Sequence, residues 1–377
     1  MTNPSLKSRI LLVDLLKALA AQLIVLHHLS WYGPLSDQAA ALSPWVADIK
    51  DWLAQYGRYA VSIFFASGGF LAAQLLSPRG LGPQDSPWCL IRDRYLRLIL
   101  PFAIALLLAV LANFLARQWM VHESIGSPPQ VVQVVAHLSL LHTLLDIESI
   151  SAGVWYVAID FQLYAMLVLL LWLGSLFAQG KPENTATSEF SRATPVLLFA
   201  LASLFYFNHD ARWDPTALFF FGSYALGVAA GWAIRSRHRN RILWLIVLLG
   251  GLSLWLNFRP RIALAVVTAL ILGHSKFHMS RIEIRSVRYF GNVSYALFLV
   301  HFPVCLLINA AFQRFSSASP AISMLGFLTA WLTSNLLAHF FHRYVELPLL
   351  RWHKRTVFCP ARRKQFEAQS RSAGPGQ

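Results

Sequence analysis

The chain is short of acid and short of cysteine. Its 377 residues hold 17 Asp and Glu against 32 Lys and Arg, and only three cysteines. The formal charge of +15 would suggest a nucleic-acid partner if the basic residues shared one face. They sit instead in short clusters between apolar runs, so no nucleic-acid partner is expected. Cys89, Cys305 and Cys359 have no metal-ligand spacing and no even count, and are expected to be reduced and structural. Also lacking are a glycine-rich phosphate loop, a paired-cysteine metal motif and an internal repeat. A carrier built from repeats therefore gains no support.

What fills the chain instead is apolar sequence: 56% of residues are hydrophobic and 13% charged, far more than a soluble core of this size uses. The expectation is an all-α, polytopic membrane protein. Apolar runs at 10–30, 58–77, 96–116, 153–177, 195–207, 216–234, 241–257, 260–274, 288–311 and 321–343 predict ten spans. Runs 195–207 and 260–274 fall short of the roughly 17–25 residues of an ordinary span. The first run is interrupted by Asp14 and Lys17 and lacks a convincing cleavage site, so it reads as an uncleaved first span. Val131–Asp146, which carries Gln133, His137 and His142, reads as an interfacial or re-entrant helix.

Charge gives the orientation. With ten spans and the N-terminus inside, 24 Lys and Arg fall in inside segments and 7 in outside ones, which places both termini in the cytoplasm. An eleventh span at Val131–Asp146 would destroy that asymmetry. The organisation expected is a membrane domain over 1–352 and a basic, polar, lipid-facing tail over 353–377, disordered by composition.

Four stretches carry ionisable groups where lipid makes them costly. In the first run Lys17 and His28 are eleven positions apart, which returns to within about 20° of the same helical face roughly 16 Å along. Asp14 is Lys17's neighbour at i, i+3, and His27 points about 80° away from that face. The spacing suits two ends of one long ligand or a continuous polar cavity. It equally suits a neutralised Asp14–Lys17 pair at the membrane edge with a histidine bonding another helix. Arg94 and Arg97, ahead of Pro101, share a face that can grip a phosphate or carboxylate, or anchor to lipid headgroups. Asp160 and Tyr164 share a face at i, i+4, where the acid needs a partner, functional or structural. His301 lies seven residues after Ser294 and two before Pro303, where it can serve a site or satisfy a kinked helix. The last run ends in Glu346-Leu347-Pro348.

Taken in order, these blocks resemble the acyltransferase 3 family of integral membrane acyltransferases, which O-acylate bacterial surface glycans and other hydroxyl-bearing acceptors. The similarity runs from about Arg9 to Trp352. It rests on Asp14, Lys17 and His28; Arg94, Arg97 and Pro101; Trp155 and Asp160; Ser294, Tyr295, Leu299, His301 and Pro303; and Glu346 and Pro348. There are departures. Asp160 stands where the family usually has Glu, and Ser62-Ile63-Phe64-Phe65-Ala66-Ser67-Gly68-Gly69-Phe70 lacks an acid and carries its serine one position early.

The resemblance implies an O-acyltransferase, most simply an O-acetyltransferase, of the bacterial inner membrane. It uses cytosolic acyl-CoA (acetyl-CoA) as cosubstrate, with no permanently bound cofactor and no metal. His28 would be the catalytic residue, with Asp14 and Asp160 as further catalytic candidates. Lys17, Arg94 and Arg97 would meet the CoA phosphates, and Trp155, Tyr164, His301 and Glu346 are further site candidates. The partners implied are acyl-CoA, a carbohydrate or lipid-linked acceptor held by the membrane domain itself, and membrane lipids. A multi-span carrier or flippase for an anionic or lipid-linked solute is the other reading of the same buried charges.

Overall fold

The computed structural model describes residues 4–77, 83, 85–180, 186–274 and 281–356, without the side chains of 4–10, 186, 187, 189 and 281–283. The tail expected over 353–377 lies, beyond Thr356, outside the described residues. The regular structure of the described residues is all helical, with no strand among them. In chain order the helices are α1 (Pro4–Trp31), α2 (Pro34–Ala40), α3 (Pro44–Tyr56), α4 (Val61–Leu76), α5 (Pro87–Trp119), α6 (Val131–Leu138) and α7 (Val154–Phe177). They continue with α8 (Ala186–Phe205), α9 (Ala217–Ala233), α10 (Arg239–Leu256), α11 (Pro260–His274), α12 (Arg281–Phe315), α13 (Pro320–Phe341) and α14 (Leu347–Thr356).

Most of each of the ten apolar runs lies in one helix. Eight helical stretches among the described residues are long and apolar enough to cross a membrane, and α9 and α11 are shorter apolar helices of 17 and 15 residues. The chain is an all-α, multi-pass membrane protein. Two boundaries differ from the sequence reading. Run 195–207 belongs to the 20-residue α8, because Pro195 lies inside that helix and does not start it. Val131–Asp146 is helical only to Leu138: Leu140, at φ 56°, leaves the right-handed helix, and turns follow to Asp146, at φ 52°.

Local chemistry sets the helix starts. Pro34, Pro44, Pro87 and Pro320 occupy first-turn positions, where a missing N–H costs nothing. The Ser86 and Ser319 hydroxyls accept from Cys89 N and Ile322 N.

Packing runs inward from there. α9 is buried on nearly every face against α4, α7, α8, α10 and α11. It meets α4 backbone to backbone, since a Cβ on Gly69 would collide with Tyr224 O and one on Gly227 with Ala66 O. Without a solvent-driven force between helices in lipid, such small residues supply the close packing. α12 runs through the other half of the fold against α1, α5 and α13. Cys305, on α12, is a free buried thiol. Cys89 is disulfide-bonded, which overturns the expectation that all three cysteines are reduced; Cys359 lies outside the described residues.

One segment departs from simple up-and-down crossing. Chain leaving α5 at Trp119 folds back along that helix, and Leu138 O accepts from Tyr95 Oη at 2.8 Å, a residue 24 positions earlier on α5, or roughly 36 Å by helical rise. Gln162 Nε2 on α7 donates to Leu140 O and Thr143 Oγ1. The turns after α6 are therefore sunk between α5 and α7, and α7 begins beside them at Gly153.

Candidate active site

Where those turns meet α1, α7, α11 and α12 there is a cavity of about 620 Å³. His27, His28 and Tyr32 from the end of α1, Trp155 and Ile159 from α7, and Phe298 from α12 form its walls, with His142, Thr143, Asp146 and Glu148 from the sunken turns. Arg58, Asp214, Phe220 and Arg261 complete it. Trp155 lies against Phe220 with ring centroids 5.7 Å apart, and Arg261 bonds Asp214 at 2.8 Å while lying over the Phe219 and Phe220 rings. Aromatic faces beside mixed charges suit a polyhydroxylated molecule better than a purely apolar one.

His28, 7% exposed, is one of three buried imidazoles that line this cavity, with His27 and His142. Its Nδ1 lies 2.6 Å from His301 Nε2, across a chain separation of 273 residues. Gly153, at φ +87°, lets the backbone pass His28, because a Cβ there would sit 3.3 Å from both His28 Cε1 and Phe298 Cζ in a conformation side chains resist. His27 turns away as its helical position predicts, its Nδ1 3.1 Å from Leu53 O on α3. In the sunken turns His142 stacks on His137 at 3.9 Å, and neither of its ring nitrogens has a hydrogen-bond partner among the described residues. Burial, reinforced by the His137 ring, pushes His142 down to about 3.

Eleven residues back along α1, roughly 16 Å by helical rise, a second group of charges gathers. Arg94 forms an ion pair with Asp160 and lies over the Tyr164 ring at 5.3 Å, so the i, i+4 pair on α7 meets one guanidinium. Lys17 Nζ donates to Gly291 O on α12 at 3.4 Å, where Asp14 also packs. Arg97 and Lys17 interact with Arg94 and Glu346, and neither has an ion pair within 4 Å among the described residues. Arg97 keeps exposed surface although it lies among these groups. Glu346 ends a π-helical turn, His342–Glu346, and holds His342 Nδ1 at 2.8 Å; such turns are frequent at functional positions.

The structure thus brings His28 and Trp155 to one cavity, with His301 buried behind His28 and bonded to it, Arg94, Asp160 and Tyr164 into one cluster, and Lys17, Arg97 and Glu346 beside it. It does not bring Asp14 to His28: the two are fourteen residues apart on one helix, roughly 21 Å. Asp160 is likewise engaged by Arg94 and does not touch His28. Reasoning from sequence missed Arg58, Asp146, Glu148, Asp214 and Arg261 as wall residues. The available signal was their position: Arg58 and Arg261 are two of the few cations in outside segments, each where an apolar run begins.

The acyltransferase domain of the acyltransferase 3 family matches residues 10–339. No curated protein and no solved structure matches the chain. The matched region holds both charge groups except Glu346, and it covers most of the chain: this multi-pass membrane protein belongs to the acyltransferase 3 family and is an acyltransferase.

Proposed function

We propose that the protein is an O-acyltransferase of the bacterial inner membrane, which takes an acyl group, most simply acetyl, from cytosolic acyl-CoA and delivers it to a hydroxyl of a glycan, lipid-linked glycan or similar acceptor. The observation that carries this reading is the arrangement along α1: a buried imidazole in a cavity large enough for a sugar unit, and two cations without close ion pairs about 16 Å away. Arg97 and Lys17 are the groups placed to take the CoA phosphates. Arg94 orders the site through Asp160, a division of labour that the Arg-x-x-Arg spacing alone does not reveal.

The pantetheine arm, on the order of 15–20 Å long, spans the rise between the two groups. His28 then accepts the proton of the acceptor hydroxyl as its oxygen attacks the thioester carbonyl. The C–S bond breaks, and the proton on His28 passes to the departing thiolate. Positive-inside charge puts the Lys17 end toward the cytoplasm and the cavity toward the outside, so CoA stays on one side while the acyl group reaches the other.

The test supplies [14C]acetyl-CoA to membranes from cells making the wild type or His28→Ala at equal levels. Label in glycan or lipid should fall by about 10²–10⁴ in the variant, the usual worth of a general base, with His27→Ala much milder. Undiminished labelling by His28→Ala would remove His28 from the chemistry.

A further inference from the structure

We infer that His301 is a positioning residue that fixes which nitrogen of His28 is basic; the inference rests on the reading of His28 as the base. His301 Nδ1 lies 2.9 Å from Phe298 O and 3.1 Å from Leu297 O, both on its own helix. A carbonyl oxygen only accepts, so this Nδ1 carries a hydrogen whatever the charge of the ring. Neutral His301 therefore presents a bare Nε2, and that is the atom 2.6 Å from His28 Nδ1.

The ring planes are inclined by only 10°, with centroids 4.9 Å apart. Combined with the short nitrogen–nitrogen distance, this places the rings edge to edge in nearly one plane, the plane in which both the N–H bond and the ring lone pair lie. The one proton between them belongs to His28 Nδ1. His28 Nε2 is then left with its lone pair, and no hydrogen bond engages it among the described residues.

A purely structural role for His301 predicts a different bond. Pro303 lacks the N–H that would have met the carbonyl of Leu299, so a histidine present to repair the kink would donate there. His301 donates instead to the carbonyls of Leu297 and Phe298, which leaves its other nitrogen aimed at His28. During transfer the acceptor proton arrives on His28 Nε2 and later leaves with the thiolate. Nδ1–H donates to His301 throughout, and no proton leaves His301. This is the arrangement of a base held by a third group, with backbone carbonyls as the final acceptors.

The test reads the tautomer directly, without turnover. Ring 15N shifts of 15N-histidine-labelled full-length protein in detergent micelles would be assigned to His28 by their loss in His28→Ala. The wild type should show a protonated Nδ1 and a bare Nε2. His301→Phe, which keeps bulk and removes the acceptor, should lose that pattern. His301→Gln, whose side-chain oxygen reaches the same place, should keep it. In turnover, His301→Phe should lose about 10²-fold in kcat with KM for acetyl-CoA unchanged, and Gln should restore most of it. A wild-type His28 protonated on Nε2, or one whose pattern survives His301→Phe, overturns the inference. The expected tautomer together with an active His28→Ala would leave the positioning intact and refute the catalytic reading.

Discussion

The two polar groups that α1 connects handle charge in opposite ways. At the Lys17 end Asp160 is committed to Arg94 and Glu346 to His342, while Arg97 and Lys17, the latter with Asp14 as its neighbouring acid, have no ion pair within 4 Å among the described residues. At the His28 end the cavity holds Arg58 and Arg261 beside Asp146, Glu148 and Asp214, with imidazoles and aromatic faces between them. Cations without a close counter-charge inside a membrane protein are costly unless an anion arrives to meet them, and a cavity of mixed charge with aromatic walls makes no such demand. On the proposed reading, one end would take a polyanion and the other a neutral, hydroxyl-rich group, which is the difference between a CoA head and an acceptor sugar.

The comparison can be broken most severely at its fixed pair. Asp160→Ala leaves the half-buried Arg94 without its counter-charge, a loss of at most about 3–5 kcal/mol, the cost for a fully buried pair. The expected outcome is a large drop in melting temperature in detergent, partly recovered by Arg94→Met with Asp160→Leu. A melting temperature unchanged in Asp160→Ala would mean that the pair does not hold α5 to α7.

The open cations should respond differently. Arg97→Ala and Lys17→Ala are expected to leave stability nearly intact and to raise KM for acetyl-CoA by about 10–150-fold, the equivalent of 1.5–3 kcal/mol for a lost charge-assisted bond. Arg97→Lys should recover only part, since it loses the planar fork. Equal KM values across the set would return these residues to the role of lipid anchors.

How far this was legible in the sequence depended on chain separation. The Lys17–His28 relation lies within one helix, where 3.6-residue periodicity fixes geometry, and the structure keeps it. Asp160 and Tyr164, four apart, likewise meet one partner. That the partner is Arg94, 66 residues earlier in the chain, could not be read from spacing, and two arginines three apart looked equivalent although only one is ion-paired. His301 was visible as a costly histidine before a proline, but its bond to His28 depends on how α1 and α12 pack. Val131–Asp146 looked like one helix because apolar residues continue through it. The turn at Leu140, which carries His142 and Asp146 into the cavity, has no glycine or proline to announce it.

The smallest effect expected concerns that turn. His142 is held down to about 3 in the fold, against about 6.5 when unfolded. Below pH 6.5 the unfolded chain binds a proton that the folded one refuses, so this group lowers stability as pH falls from 6.5 toward 3 and is silent above it. His142→Phe should flatten the loss of melting temperature between pH 6.5 and 4; identical slopes would mean that the ring is hydrated in the folded protein.

The central claim is that donor and acceptor meet from opposite ends of one path. Sealed inside-out vesicles given acetyl-CoA with 14C in the acetyl group and 3H in the adenine test it in a single experiment. The account predicts 14C on acceptors in the lumen, with 3H remaining outside. Acetylated acceptors on the cytoplasmic face alone, or 3H entering the lumen with the 14C, would contradict it.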